Sequence, residues 1–205
     1  MSSYLVPNVI AQHPRGERVM DVYSHLLTER VVYVGTAIDA GVANALVAQL
    51  LYLEADNPDR DIQLYINCEG GDPSAMLAVH DTMQYIRPSV ATTCVGQAIA
   101  VGAVLLAAGA PGKRAALPHA RIVLHQPAAQ GRGAIPDLIL QADEVVRVRA
   151  DIERILSRHT GQDTATLRAD TDHDRVFTAS AAREYGLLDH VIEAREPLGV
   201  QAARA

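Results

Sequence analysis

The chain has 205 residues, 49% hydrophobic and 20% charged, with a net charge of −6. That composition is ordinary for a globular protein, and the length suits one α/β domain with its own core. With no run of 18 apolar residues, no basic stripe and no secretory signal pattern, it argues against a membrane span, nucleic-acid binding and export.

Two cysteines, Cys68 and Cys94, suit a reducing cytoplasm. The eight histidines show no paired metal spacing. No metal or organic cofactor is expected. Residues 1–18, rich in Pro, Gly and polar groups, read as an arm, and Met20 to Thr28 as a short helix. "VVYVG" reads as a buried strand. Val42, Leu46, Leu50 and Leu53 form a helical stripe within residues 38–55. "DIQLYINC" is a second strand. After it, Asp72-Pro73 has the order of a helix cap followed by a first helical residue. Met76, Val79, Met83 and Ile86 give that helix a buried face, and Pro88 ends it. Val90 to Val95 is a third strand, broken by Gly96, with the helix "IAVGAVLLAAGA" behind it, and "RIVLHQP" is a fourth strand.

Strand and helix alternate, which predicts mostly parallel pairing through right-handed crossovers. Residues 135–159 form a long amphipathic helix with Ile135, Leu138, Ile139, Ala142, Val145, Ile152 and Ile155 on one side. Such a helix either packs along the sheet or protrudes, and an apolar face on a protrusion needs a partner. "TASAAREYGLLDHVIE" supplies a short helix and a last strand, and the tail after Arg195 reads as disordered. The expected organisation is one domain over 19–195, with the arm before it and the tail 196–205 after it.

Three places could hold chemistry. The glycines of "CEGGD" (68–72), between a strand and a helix, allow either a plain turn or an oxyanion hole. Gly96 to Val101 is a second strand-to-helix turn. His125 lies at the C-terminal edge of a strand, where open α/β sheets place ligands. The acids of "DTDHD" (170–174) are either a solvated loop or include a partner for His125. Together they outline a serine-hydrolase site with no hydroxyl or thiol at the turn.

These segments, in this order, resemble ClpP, the family of proteolytic subunits of the ATP-dependent Clp protease. "LEADNPDRDIQLYIN", "HDTMQYI", "LLAAGAPGKRAALPHARIVLHQP", "HTGQ" and "EYGLLDHVI" carry the resemblance. It implies the ClpP/crotonase-like α/β fold of repeated β-α-β units, with a helix-strand handle over about 126–155. The family's nucleophile signature, similar to G-Q-A-A-S-M-G-A, reads here Gly96 to Ala103 and puts Ala100 at the serine. The histidine and aspartate fall on His125 and Asp174, and the oxyanion amides on Gly71 and Val101. Asp172 and His173 fall on an inter-ring contact. Leu51, Gln63, Tyr65, Tyr85 and Ala115 fall on the docking pocket for the AAA+ ATPase partner. That partner, not this chain, uses ATP.

Departures from the pattern accompany the missing serine. Glu69 stands for a proline, Ala128 and Ala129 for glycines, His173 for an arginine, and Gln63 and Ala115 for rings. The resemblance implies two stacked seven-membered rings, homomeric or shared with other Clp proteolytic subunits. On this reading the chain is an inactive structural or regulatory subunit. The alternatives are an active Clp serine endopeptidase carrying an engineered serine-to-alanine change, and a crotonase-type acyl-CoA enzyme.

Overall fold

Asp21 sets the first helix. Its side chain accepts a hydrogen bond from the Ser24 amide at 2.9 Å, so α1 runs over Val22–Thr28 rather than from Met20. In this computed structural model, which describes residues 5–13, 16–127 and 133–193, the segment before Asp21 is a hairpin. β1 (Asn8–His13) and β2 (Gly16–Asp21) pair antiparallel from Asn8↔Asp21 to His13↔Gly16. Composition suggested only an arm there.

Strand and helix then alternate, with side-chain caps on the first two of these helices. β3 (Val31–Val34) leads to α2 (Ala40–Asp56), capped by Asp39. β4 (Ile62–Cys68) leads to α3 (Pro73–Tyr85), where Asp72 accepts from the Ala75 amide and Pro73 opens the first turn, as its order in the sequence predicts. β5 (Val90–Ile99) leads to α4 (Val101–Ala107), followed by β6 (Arg114–Ala116) and β7 (Arg121–Leu124). Then come α5 (Ile135–Thr160), α6 (Thr164–Asp170), β8 (Arg175–Thr178), α7 (Ala179–Tyr185) and β9 (His190–Val191). The short elements β6, α6 and β8 have too few residues to show a periodicity, and pattern reading passed over them.

Strands β3-β4-β5-β6-β9 form a parallel array, β7 joins β5 in parallel, and β8 closes the edge antiparallel to β7. In β4, Ile62, Leu64, Ile66 and Cys68 are buried while the residues between them are partly open. The buried face carries the core with Leu50, Met76 and Leu106. Thr92 on that face donates to the Leu106 carbonyl of α4 at 2.7 Å, which places α4 over it. On the other face, register aligns Tyr33, Tyr65, Thr93, Ala115 and His190 in one row.

Gly96 does not break β5. The strand runs on to Ile99, with a register slip against β4 between Ile66 and Cys68. A Cβ at Gly96 would sit 2.6 Å from Asn67 Oδ1, which also accepts the Gln97 amide at 3.2 Å. The glycine makes room for that side chain at the irregularity.

α5 divides into two halves. Val148, Ile152 and Leu156 are buried in the domain, whereas Ile135 is 75% exposed and Leu140 68%. The predicted apolar stripe is therefore core at one end and bare at the other. The strand half of the expected handle, around Ala128 and Ala129, and the tail after Glu193 lie outside the described residues. Among the described residues no helix is long and apolar enough to cross a membrane.

Candidate active site

The turn between β5 and α4 falls on one residue. Ala100 has φ 50° and ψ −109°, a left-handed backbone that a residue with a Cβ adopts only at a cost. Its surroundings hold it there. The Ala100 amide donates to the Val123 carbonyl on β7 at 2.9 Å, and its own carbonyl accepts from Ala103 and Val104 in α4. Two positions later, a Cβ on Gly102 would lie 2.9 Å from Cys68 Cβ, so glycine is what lets α4 start against the end of β4. The result is a sharp strand-to-helix elbow with a methyl group at its tip.

Gly71 faces the elbow from the other loop. It bridges Ile38: the Ile38 amide donates to Gly70 O at 2.9 Å and the Asp72 amide to Ile38 O at 2.7 Å. In such a bridge the Gly71 N–H points away from Ile38. A Cβ at Gly71 would fall 2.3 Å from Ile38 O, and φ is +144°, so this approach requires glycine. Neither the Gly71 nor the Val101 amide donates to another described residue. Gly71 and Val101 border a cavity of about 140 Å³ that Ala100, His125, Leu124 and Leu156 also line. Two free amides at such a cavity can receive a carbonyl oxygen.

His125 follows β7. Its Nδ1 lies 2.8 Å from the Gln126 carbonyl oxygen. A carbonyl only accepts, so Nδ1 carries the hydrogen and, in the neutral ring, Nε2 carries the lone pair. This is the tautomer a general base needs. Gln126 is itself tied down. Its amide donates to Thr171 O at 3.0 Å, and its side-chain oxygen accepts from Arg149 Nη1 at 2.7 Å. Arg149 also meets Glu153 at 2.9 Å and Asp172 at 2.9 Å.

Glu153 is 4% exposed and accepts from both Arg149 and Arg168. Burial pushes its carboxyl up, but hydrogen bonds from Arg168 and Arg149 outweigh that and leave it below its ordinary value. Pattern reading missed Arg149, Glu153 and Arg168. The one available signal was a charged residue, Glu153, next to Ile152 on the apolar side of α5.

The remaining sequence candidates lie apart. Asp174 is exposed and makes no hydrogen bond or ion pair with another described residue; His125 is held by its neighbour's carbonyl instead. Asp172 is paired within the chain to Arg149, while His173 is exposed beside it. Gln63, Tyr65 and Ala115 share the sheet face opposite the core strand positions, the first two half-buried and Ala115 buried. Leu51 and Tyr85 sit exposed on α2 and α3. Glu69 is exposed and does not line the cavity.

Neither thiol offers a substitute nucleophile. Burial pushes both Cys68 and Cys94 up, and Cys68 Sγ is engaged with Gly70 O at 3.2 Å. Ser74 is exposed on α3, outside the cavity. Among the described residues no group of three metal-ligating side chains converges.

The family model for Clp protease matches residues 14–195. The chain is 71% identical over 196 residues to ATP-dependent Clp protease proteolytic subunit 1 of Nocardia farcinica, covering 95% of this chain and 100% of that protein. It is 57% identical to proteolytic subunit 4 of Rhodococcus jostii, covering 95% and 100%, and 53% identical to proteolytic subunit 2 of Streptomyces avermitilis, covering 95% and 98%.

Proposed function

The chain belongs to the Clp protease family as a homologue of its proteolytic subunits, and on that premise we propose that it is a subunit without peptidase activity of its own, cytoplasmic, acting with other Clp subunits and a Clp ATPase. The observation that carries the proposal is Ala100. It occupies a strained elbow, beside two free amides and a histidine in the base tautomer, and offers only a methyl group there. A methyl cannot attack a carbonyl. Loss of the serine of such a unit lowers turnover by about 10⁶-fold, leaving oxyanion and binding effects.

What it contributes on this reading is wall and contact surface. The bare half of α5, with Ile135, Ile139 and Leu140, suits contact between stacked seven-membered rings. Tyr33 and His190, the exposed ends of the row across the sheet, offer contact to a neighbouring subunit. Docking of the ATPase on this chain's own surface is weakened, because Gln63 puts an amide and Ala115 a small side chain where apolar contact is expected.

The test is chemical labelling with a serine-directed fluorophosphonate, alongside hydrolysis of short peptides. The wild-type protein should show neither; labelling that maps to Cys68, Ser74 or Cys94 would overturn the proposal. Ala100→Ser should restore weak peptide hydrolysis, about 10²-fold or more below a well-aligned site, given that a misplacement of about 1 Å costs that much. Recovery to ordinary Clp rates would instead identify an active peptidase whose serine had been replaced.

A further inference from the structure

Within that same site, we propose that Arg149 is a positioning residue for His125: it fixes Gln126, whose main-chain carbonyl sets the histidine's tautomer in the role otherwise assigned to a carboxylate. Three observations converge on this. The only hydrogen bond of His125 among the described residues runs from Nδ1 to Gln126 O, at 2.8 Å. Asp174, the acid expected to orient the ring, has no partner among those residues and is exposed. Gln126 is fixed at both its amide and its side chain, with Arg149 Nη1 to Oε1 at 2.7 Å as the shortest of those contacts.

Arg149 can hold this position because its fork is shared. Nε meets the buried Glu153, and Nη2 meets Asp172 and the Arg168 carbonyl. Glu153 is in turn held by Arg168 at 2.7 Å. The guanidinium is thus fixed from three sides and presents its remaining arm to Gln126, a use of planar fork geometry that an ammonium reproduces only in part. The buried end of α5 thereby acts on the imidazole through one amide side chain, without Arg149 touching the reacting atoms.

The test reads the tautomer and needs no activity. Imidazole ¹⁵N spectra of the full-length assembled protein are recorded by solid-state NMR, with the His125 signals identified by their loss in His125→Gln. Wild type should show protonated Nδ1 and bare Nε2. Arg149→Met should lower that tautomer ratio about fivefold, the worth of one ordinary hydrogen bond; Arg149→Lys should recover part of it, and Asp174→Asn should leave it unchanged. Gln126→Leu keeps the carbonyl and the main-chain bond to Thr171 but removes the side-chain anchor, and should show the loss expected of Arg149→Met even where Arg149→Met does not assemble. A tautomer scrambled by Asp174→Asn, or untouched by both Arg149→Met and Gln126→Leu, overturns the proposal. Peptidase activity in the wild-type chain would sink the inert reading and leave this one standing.

Discussion

The two sides of the candidate site are built from different material. On one side, where strands of the central sheet meet helices packed on it, Ala100 is held by main-chain hydrogen bonds and Gly71 and Gly102 by approaches that leave no room for a Cβ. On the other side, Asp172, His173 and Asp174 lie on an exposed turn before an edge strand. Between the two stands the buried Glu153, held by the half-buried Arg149 and the exposed Arg168. The elbow side cannot change without disturbing the core, so its geometry persists whether or not a nucleophile is present. The acid side is free to change, and there the histidine donates its hydrogen bond to the main chain instead.

Substitutions ranked by effect test this contrast. Gly71→Ala should be the most damaging, because its Cβ would collide with Ile38 backbone atoms at a φ of +144°. A loss of about 3 kcal/mol is expected in urea denaturation at fixed protein concentration. A cost below about 1 kcal/mol would show that the elbow side yields more readily than described.

Glu153→Gln should come next, at about 2 kcal/mol, since it leaves Arg149 and Arg168 facing a neutral amide. The pH dependence has a definite sign. The folded-state pKa of Glu153 is lowered, so its contribution is present above the ordinary carboxylate pKa of about 4.3 and disappears as pH falls through the lowered value. Acid unfolding curves of the variant should lack that component.

A smaller effect should come from His159, near the C-terminal end of α5. Burial lowers its pKa to about 4, helped by His80, whose ring centroid is 5.9 Å away, and by Arg114 and Arg158. A histidine held neutral in this way contributes stability above its unfolded pKa of about 6.5, and that contribution is lost as pH falls through about 4. Melting temperatures of the wild type should decline over that window, and those of His159→Gln should decline less. Asp174→Asn should have the least effect, within about 0.5 kcal/mol, as expected for an exposed side chain without a partner. A large destabilisation there would mean that the exposed turn is as constrained as the elbow.

Much of the elbow side was legible because it is written in residue types with narrow uses. Two glycines before Asp72-Pro73 announce a turn into a capped helix, and the capping occurs as read. The stripe from Val42 to Leu53 gave α2 because burial repeats at helical spacing. Gly96 misled because glycine serves two purposes in strands: here it admits the Asn67 side chain, a neighbour that one strand's sequence does not reveal. The pairing of β1 and β2 went unseen because the segment that holds them is rich in Pro, Gly and polar residues, which composition alone reads as an arm. The Arg149 cluster was hidden for a different reason. Its members come from α5, α6 and the segment after β7, and only the folded chain places them together.

The backbone at Ala100 has a use that does not depend on which side chain it carries. The Val123 carbonyl, the first turn of α4 and the approach of Gly102 to Cys68 hold the dihedral angles from outside the residue. The tip of the elbow is therefore a mounting point of fixed orientation, open to a cavity and flanked by two free amides. A thiol, a hydroxyl or a spectroscopic label attached there would arrive already aimed, with the framework unchanged from one attachment to the next.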